Sequence, residues 1–110
     1  MDSKIPENIQ GILKELKDGL TQMYGDKLKG VYLYGSYARG DYRQGSDVDV
    51  MILLADFKNY WEELERSTEL ASDLSLKYDV TLSRLIMKEI QWQQSDMPVL
   101  RNIRKDGVLA

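Results

Sequence analysis

The run Asp47-Val48-Asp49-Val50-Met51-Ile52-Leu53-Leu54 constrains the fold more than any other feature of the chain. It opens with a strict acidic–apolar alternation, the period of a β-strand, in which successive side chains point to opposite faces. Asp47 and Asp49 therefore share one side of the strand, about 7 Å apart along the backbone. Val48, Val50, Ile52 and Leu54 point to the other side, toward covering helices. The longest apolar run, Val50 to Ala55, is far too short to span a membrane. The fold must place this strand in a sheet that hides one face and presents two carboxylates on the other.

The flanking segments read as helices and strands around it. Ile5, Ile9, Ile12, Leu13, Leu16, Leu20, Met23 and Tyr24 recur at steps of three and four, which predicts an amphipathic helix over 5–24. Pro6 suits its first turn and Gly25 its end. Residues 30–34 read as a short strand ending at Gly35, and 36–46 as at most a helical turn followed by a loop. Trp61, Leu64, Ala71 and Leu74 predict one helix over 58–77, and Tyr78 to Ile86 a third strand. A last helix starts near Ser95 or Asp96, carries Pro98 in its first turn, buries Leu100 and Ile103, and stops at Gly107. Whether Val108-Leu109-Ala110 adds an edge strand is open. Trp61 and Trp92 read as packing residues, as do Tyr32 and Tyr34; Tyr37 and Tyr42 read as packing or as a pocket or partner surface. Arg101, Arg104 and Lys105 suit the dipole of the last helix. Helices interleaved with three strands predict an α/β (α+β) domain spanning 1–110, with its three-stranded sheet in a two-layer or a sandwiched arrangement.

Composition narrows the chemistry. The chain has no cysteine and no histidine, which removes thiol catalysis, disulfides and the commonest general base and zinc ligand. Catalysis must run on carboxylates, hydroxyls, Lys, Arg or a metal. A net charge of −3 argues against a general nucleic-acid binder. It leaves a nucleotide site open, because a bound metal reverses the local field. The first residues, Met-Asp-Ser-Lys-Ile-Pro, contain no signal-peptide core, so a cytoplasmic protein is the expectation.

Two carboxylates on one face repel each other when ionised, and a divalent cation relieves that repulsion. Mg²⁺ favours carboxylate and phosphate oxygens. If the third strand neighbours the second, Asp79 joins Asp47 and Asp49, and three carboxylates can hold two Mg²⁺ ions for an in-line displacement at phosphorus. Asp79 can instead begin a strand or cap the preceding helix. Gly35-Ser36 sits where a strand gives way to a helical turn, a place where a phosphate can approach the backbone. The Ser36 hydroxyl adds a donor there, and Arg39 and Arg43 can meet phosphate oxygens or pair with surface acids such as Asp41. Ser46 either terminates the loop or offers another hydroxyl.

The string Gly35-Ser36-Tyr37-Ala38-Arg39-Gly40-Asp41-Tyr42-Arg43-Gln44-Gly45-Ser46-Asp47-Val48-Asp49-Val50 resembles the signature of the DNA polymerase β-like nucleotidyltransferase superfamily, and within it the minimal nucleotidyltransferase (MNT) family. The resemblance implies a nucleotidyltransferase fold, a small mixed three-stranded sheet with helices packed mainly on one face. It implies Gly35 and Ser36 as the triphosphate-contacting pair, Asp47 and Asp49 as the metal-binding pair, and Asp79 as the third carboxylate, with ATP as the substrate. It further implies a HEPN-domain toxin as partner, toward which an MNT protein acts as antitoxin by transferring AMP to a tyrosine. Only about thirty residues follow Asp79, so the expectation is an acceptor grasped by very little protein or supplied by a docked partner. Two competing readings stay open: an antitoxin that neutralises by masking alone, and nucleotidylation of a small molecule.

Overall fold

The computed structural model describes residues 5–110. The N-terminal segment read as lacking a signal peptide begins, at residues 1–4, outside the described residues. Helix α1 (Glu7–Tyr24) follows Pro6 and ends at Gly25, as its apolar stripe predicts. A short 3₁₀ turn (Gly25–Lys27) leads into β1 (Leu28–Tyr34), then the single turn α2 (Ser36–Arg39) and β2 (Val48–Leu54). Helices α3 (Tyr60–Arg66) and α4 (Thr68–Tyr78) precede β3 (Leu82–Lys88), α5 (Glu89–Gln94), α6 (Pro98–Asp106) and β4 (Val108–Leu109). No helix among the described residues is long and apolar enough to cross a membrane.

The sheet is mixed, as expected, but has four strands in the order β3-β2-β1-β4. β1 is antiparallel to both β2 and β4, while β2 and β3 run parallel. A parallel pair needs a crossover, and α3 with α4 supplies it. β4 settles the open question at the C-terminal end: Leu109 pairs with Tyr32 and Val108 with Leu33.

Both faces of the sheet are covered, unevenly. Ile9, Ile12, Leu13, Leu16 and Leu20 of α1 and Leu74 of α4 pack on Val31, Leu33, Val48, Val50, Ile52, Leu54 and Ile86. On the other face, Leu100 and Ile103 of α6, with Trp92 of α5, cover Met51, Leu53 and Met87. The expectation of helices mainly on one face thus needs a second, smaller layer added. The reason lies in β2 itself: Met51 and Leu53 point away from the first layer and are as fully buried as the valines. Leaving both in water would forgo roughly 2 kcal/mol each.

Three other expectations change. The helix over 58–77 is broken at Ser67, where the Arg84 guanidinium donates to the Leu64 carbonyl (2.8 Å) and to Ser67 Oγ (2.6 Å). Asn59 starts α3 by accepting from the amides of Trp61 and Glu62. That phase turns Glu63 inward and leaves Trp61, read as a packing residue, 72% exposed. The third strand begins four residues later than expected, because α4 runs through Tyr78 and Asp79 closes it in the left-handed conformation (φ 53°, ψ 54°). The amides of Asp79 and Val80 both donate to the Ser75 carbonyl. Aspartate is among the few non-glycine residues that adopt this conformation readily.

Candidate active site

Strand register decides what surrounds Asp49. Tyr34 of β1 pairs with Asp49, and so does Ser83 of β3. Paired residues share a face, so Tyr34, Asp49 and Ser83 form a row across three strands. The row lies on the α6 side, at the end of the patch formed by Met51, Leu53, Leu85 and Met87. Asp47 immediately precedes β2 and is exposed. It is held near the mouth of β3 by the hydrogen bond from the Val48 amide to the Thr81 carbonyl (2.8 Å).

Gly35 ends β1 with φ +74°, a conformation that favours glycine. A Cβ at Gly35 would lie 2.3 Å from Asp49 Oδ2, so the carboxylate rests directly against this bare backbone. The chain then turns into α2, whose amides at Ala38 and Arg39 donate to the Gly35 carbonyl. A cleft of about 460 Å³ opens here, lined by Tyr34, Gly35, Ser36, Arg39, Asp49, Val99, Asn102 and Asp106. It has the size of a small-molecule site.

The electrostatics of the cleft are unbalanced. Burial pushes the Asp49 carboxyl above the usual carboxylate range, the charge of Asp47 pushes it further, and Arg39 pulls it partly back. Asp49 also helps burial to raise the neighbouring Tyr34 hydroxyl. Arg39 itself pairs with Asp41 (3.2 Å) in the exposed loop, so the surface-pairing reading and a place in the cleft both hold for it.

The predicted residues separate into two groups. Gly35, Ser36, Arg39 and Asp49 line one cleft, with Asp47 acting on Asp49 through its charge. Arg43 and Ser46 lie in the exposed loop, where the Arg43 amide donates to Ser46 Oγ (2.8 Å) and the Ser46 amide to the Arg43 carbonyl (3.0 Å). The hydroxyl of Ser46 thus closes a turn. Asp79 lines a different hollow, with Asn8, Tyr37, Gln44, Ser46 and Thr81. Tyr37 stacks on Tyr42 at 4.5 Å between ring centroids.

The three-carboxylate cluster is not formed: among the described residues no group of three or more acidic, His or Cys side chains comes together to hold a metal ion. The helix-cap alternative describes Asp79, and the neighbour of Asp49 on β3 is Ser83. The residues nonetheless fit a Mg²⁺ ion. Mg²⁺ is commonly held by one or two carboxylates and completed by phosphate oxygens and water. Here Asp49 sits where burial and Asp47 disfavour its charge, a penalty that a cation removes. Reasoning from sequence missed Asn102 and Asp106. Their spacing of four on a helix marks one face, but only tertiary packing sets that face against Gly35.

The nucleotidyltransferase domain family matches residues 13–108. A Methanocaldococcus jannaschii protein, "Putative protein adenylyltransferase MJ0141", is 45% identical over 78 residues, covering 71% of this chain and 78% of that protein. "Protein adenylyltransferase MntA" of Shewanella oneidensis is 34% identical over 73 residues, 66% of this chain and 49% of that protein. Among solved structures, a chain in the complex of a tri-AMPylated Shewanella oneidensis HEPN toxin with an MNT antitoxin superposes with a TM-score of 0.56. That match has 22% identity and covers 93% of this chain and 67% of the other. The match runs from within α1 to β4 and takes in the glycine–serine turn, both aspartates and the mixed sheet, and the chain belongs to the nucleotidyltransferase domain family.

Proposed function

We propose that residues 1–110 act as one catalytic unit, a Mg²⁺-dependent protein adenylyltransferase that moves AMP from ATP to a tyrosine hydroxyl of a HEPN-domain toxin, and so serves as its antitoxin in the cytoplasm. The observation that carries this reading is the Asp49 carboxylate packed against Gly35 in an open cleft, its charge disfavoured by burial and by Asp47 and only partly offset by Arg39. The relatives named as protein adenylyltransferases support the chemistry. The fold shared with an MNT antitoxin complex supports the class of partner.

In this reading the turn at Gly35 and Ser36 receives the polyphosphate, whose oxygens can approach a glycine backbone closely. Arg39 exchanges its exposed pairing with Asp41 for a phosphate oxygen, a charge-assisted contact. Asp47 and Asp49 would hold Mg²⁺, which when bound supplies charge neutralisation at the phosphates. The acceptor oxygen attacks the α-phosphorus as the bond to the β-phosphate oxygen breaks. Pyrophosphate leaves, and the hydroxyl proton passes to solvent or to a carboxylate at the cleft.

The test is transfer of labelled AMP to a purified HEPN-domain toxin in the presence of Mg²⁺. Asp47→Asn and Asp49→Asn should each reduce labelling by roughly a hundredfold or more, the scale seen when a main electrostatic element of a site is lost. Undiminished labelling by Asp49→Asn would overturn the mechanism. Full neutralisation of the toxin by a variant that no longer labels it would favour masking.

A further inference from the structure

The wall of the cleft opposite the Gly35–Ser36 turn belongs to α6, and its polar residues have no part in the chemistry above. Asn102 and Asp106 are four apart, so they stack one turn above the other on a single helix face. Both line the cleft together with Val99, Tyr34 and Asp49. Among the described residues neither side chain makes a hydrogen bond or ion pair, although Arg101 and Arg104 of the same helix are engaged, with Asp96 and with the Trp92 and Ser95 carbonyls.

Asp106 is also misplaced for stability. It is the last residue of α6, where the helix dipole favours a cation and the two preceding positions, Arg104 and Lys105, are cations. A carboxylate kept at that end, unpaired and facing a cleft, calls for a ligand that donates hydrogen bonds. It cannot be the polyphosphate, which carries the same charge. The part of a nucleotide that offers two adjacent donors and no charge is the ribose, through its 2′ and 3′ hydroxyls. A carboxylate accepts from both at once, and the Asn102 amide can donate to or accept from a sugar oxygen one turn away.

We infer that Asp106, assisted by Asn102, reads the ribose hydroxyls of the donor nucleotide and makes this site selective for ribonucleotides over 2′-deoxynucleotides. The inference rests on the nucleotide site proposed above and adds to it a specificity-determining residue. Both residues come from α6, on the far side of the cleft from the signature string, so the selectivity belongs to the wall and not to the phosphate turn.

The experiment measures binding of ATP and of 2′-deoxy-ATP, each with Mg²⁺, by calorimetry on the full chain. The wild type should bind ATP roughly tenfold or more tightly than 2′-deoxy-ATP, the scale of one hydrogen bond to a charged group. Asp106→Asn and Asp106→Ser should narrow that ratio to within about threefold by weakening ATP while leaving 2′-deoxy-ATP nearly unchanged. Asn102→Ala should shift it less. The site is at a solvent-accessible helix end, so the variants should melt as the wild type does or slightly higher. Equal affinities in the wild type would overturn the inference and leave the nucleotide site standing. So would a preference that survives both Asp106 variants, or a loss equal for the two nucleotides, which would assign Asp106 to phosphate or metal. Failure of both nucleotides to bind would bring down the site itself and the inference with it.

Discussion

Strand β2 ends in two hollows of similar size that handle charge in opposite ways. At its start lies the cleft of about 460 Å³ beside Asp49; past its end, one of about 420 Å³ lined by Tyr24, Phe57, Glu63 and Arg66, among others. At the far end the buried acid is fully partnered. Glu63 accepts a hydrogen bond from the Tyr24 hydroxyl (2.9 Å) and pairs with Arg66 (3.7 Å). Burial, followed by the bond to Glu63, holds the Tyr24 hydroxyl up at about 12, so it stays a donor at any ordinary pH. At the near end no cation bridges Asp49 among the described residues, and its closest charged neighbour in sequence has the same sign. One hollow is built by the rules of stability, where buried charges are paired. The other breaks them, as sites with work to do often must.

The contrast can be broken most sharply at Gly35. Gly35→Ala would place a Cβ 2.3 Å from Asp49 Oδ2 and force a side chain into a left-handed turn, so the carboxylate must move. Displacements of about 1 Å at a reacting centre can cost roughly a hundredfold in rate. Transfer to the acceptor should fall by that order while the protein remains folded by circular dichroism. Undiminished transfer would mean that the position of Asp49 against the turn has no catalytic meaning.

The far hollow gives the opposite result. Glu63→Ala leaves the Tyr24 hydroxyl and Arg66 without their partner and should cost about 2 kcal/mol in urea unfolding. The folded fraction should label its acceptor at the wild-type rate. A loss of activity without loss of stability would move the functional site to the wrong end of the strand.

The smallest effect has a sign set by the raised Asp49 carboxyl. A group whose pKa is higher in the fold than in the unfolded chain contributes its stability fully below the unfolded value and loses it as pH rises through the folded value. Asp49 should therefore stabilise least at neutral pH, where it is ionised in an unfavourable place. Asp49→Asn, which cannot ionise, should melt above the wild type at pH 7. The gap should close below about pH 4, where the Asp49 carboxyl is protonated in the folded and the unfolded chain alike. A variant less stable than the wild type at pH 7 would show that Asp49 is compensated after all, and the contrast between the two ends would lose its basis.

Much of the site was legible because it is local. Gly35-Ser36 and the Asp47–Asp49 alternation are read from neighbours one or two residues apart, and the strand period alone puts the two carboxylates on one side. The α1 stripe is equally local, with Ile9, Ile12, Leu13, Leu16 and Leu20 all buried as their spacing required. The third acidic position was not, since Asp79 reads as a strand residue only if the strand has already begun. The phase of the helix over 58–77 failed for a related reason. Apolar spacing alone did not show that Glu63 goes inward to Tyr24, that Trp61 goes outward, or that Arg84 from β3 sits at the break by Ser67.

The sequence by itself determined which turn and which strand end form the candidate site, because backbone period and glycine conformation act over a few residues. Tertiary structure alone decided which side chains meet there. Where α4 stops sets the register of β3 against β2, and the left-handed Asp79 that stops it brings Ser83, not an acid, beside Asp49. The same long-range packing folds α6 over Met51 and Leu53 and thereby sets Asn102 and Asp106 across from Gly35. Contacts between segments thirty or more residues apart depend on the summed burial of both sheet faces, which no local pattern records.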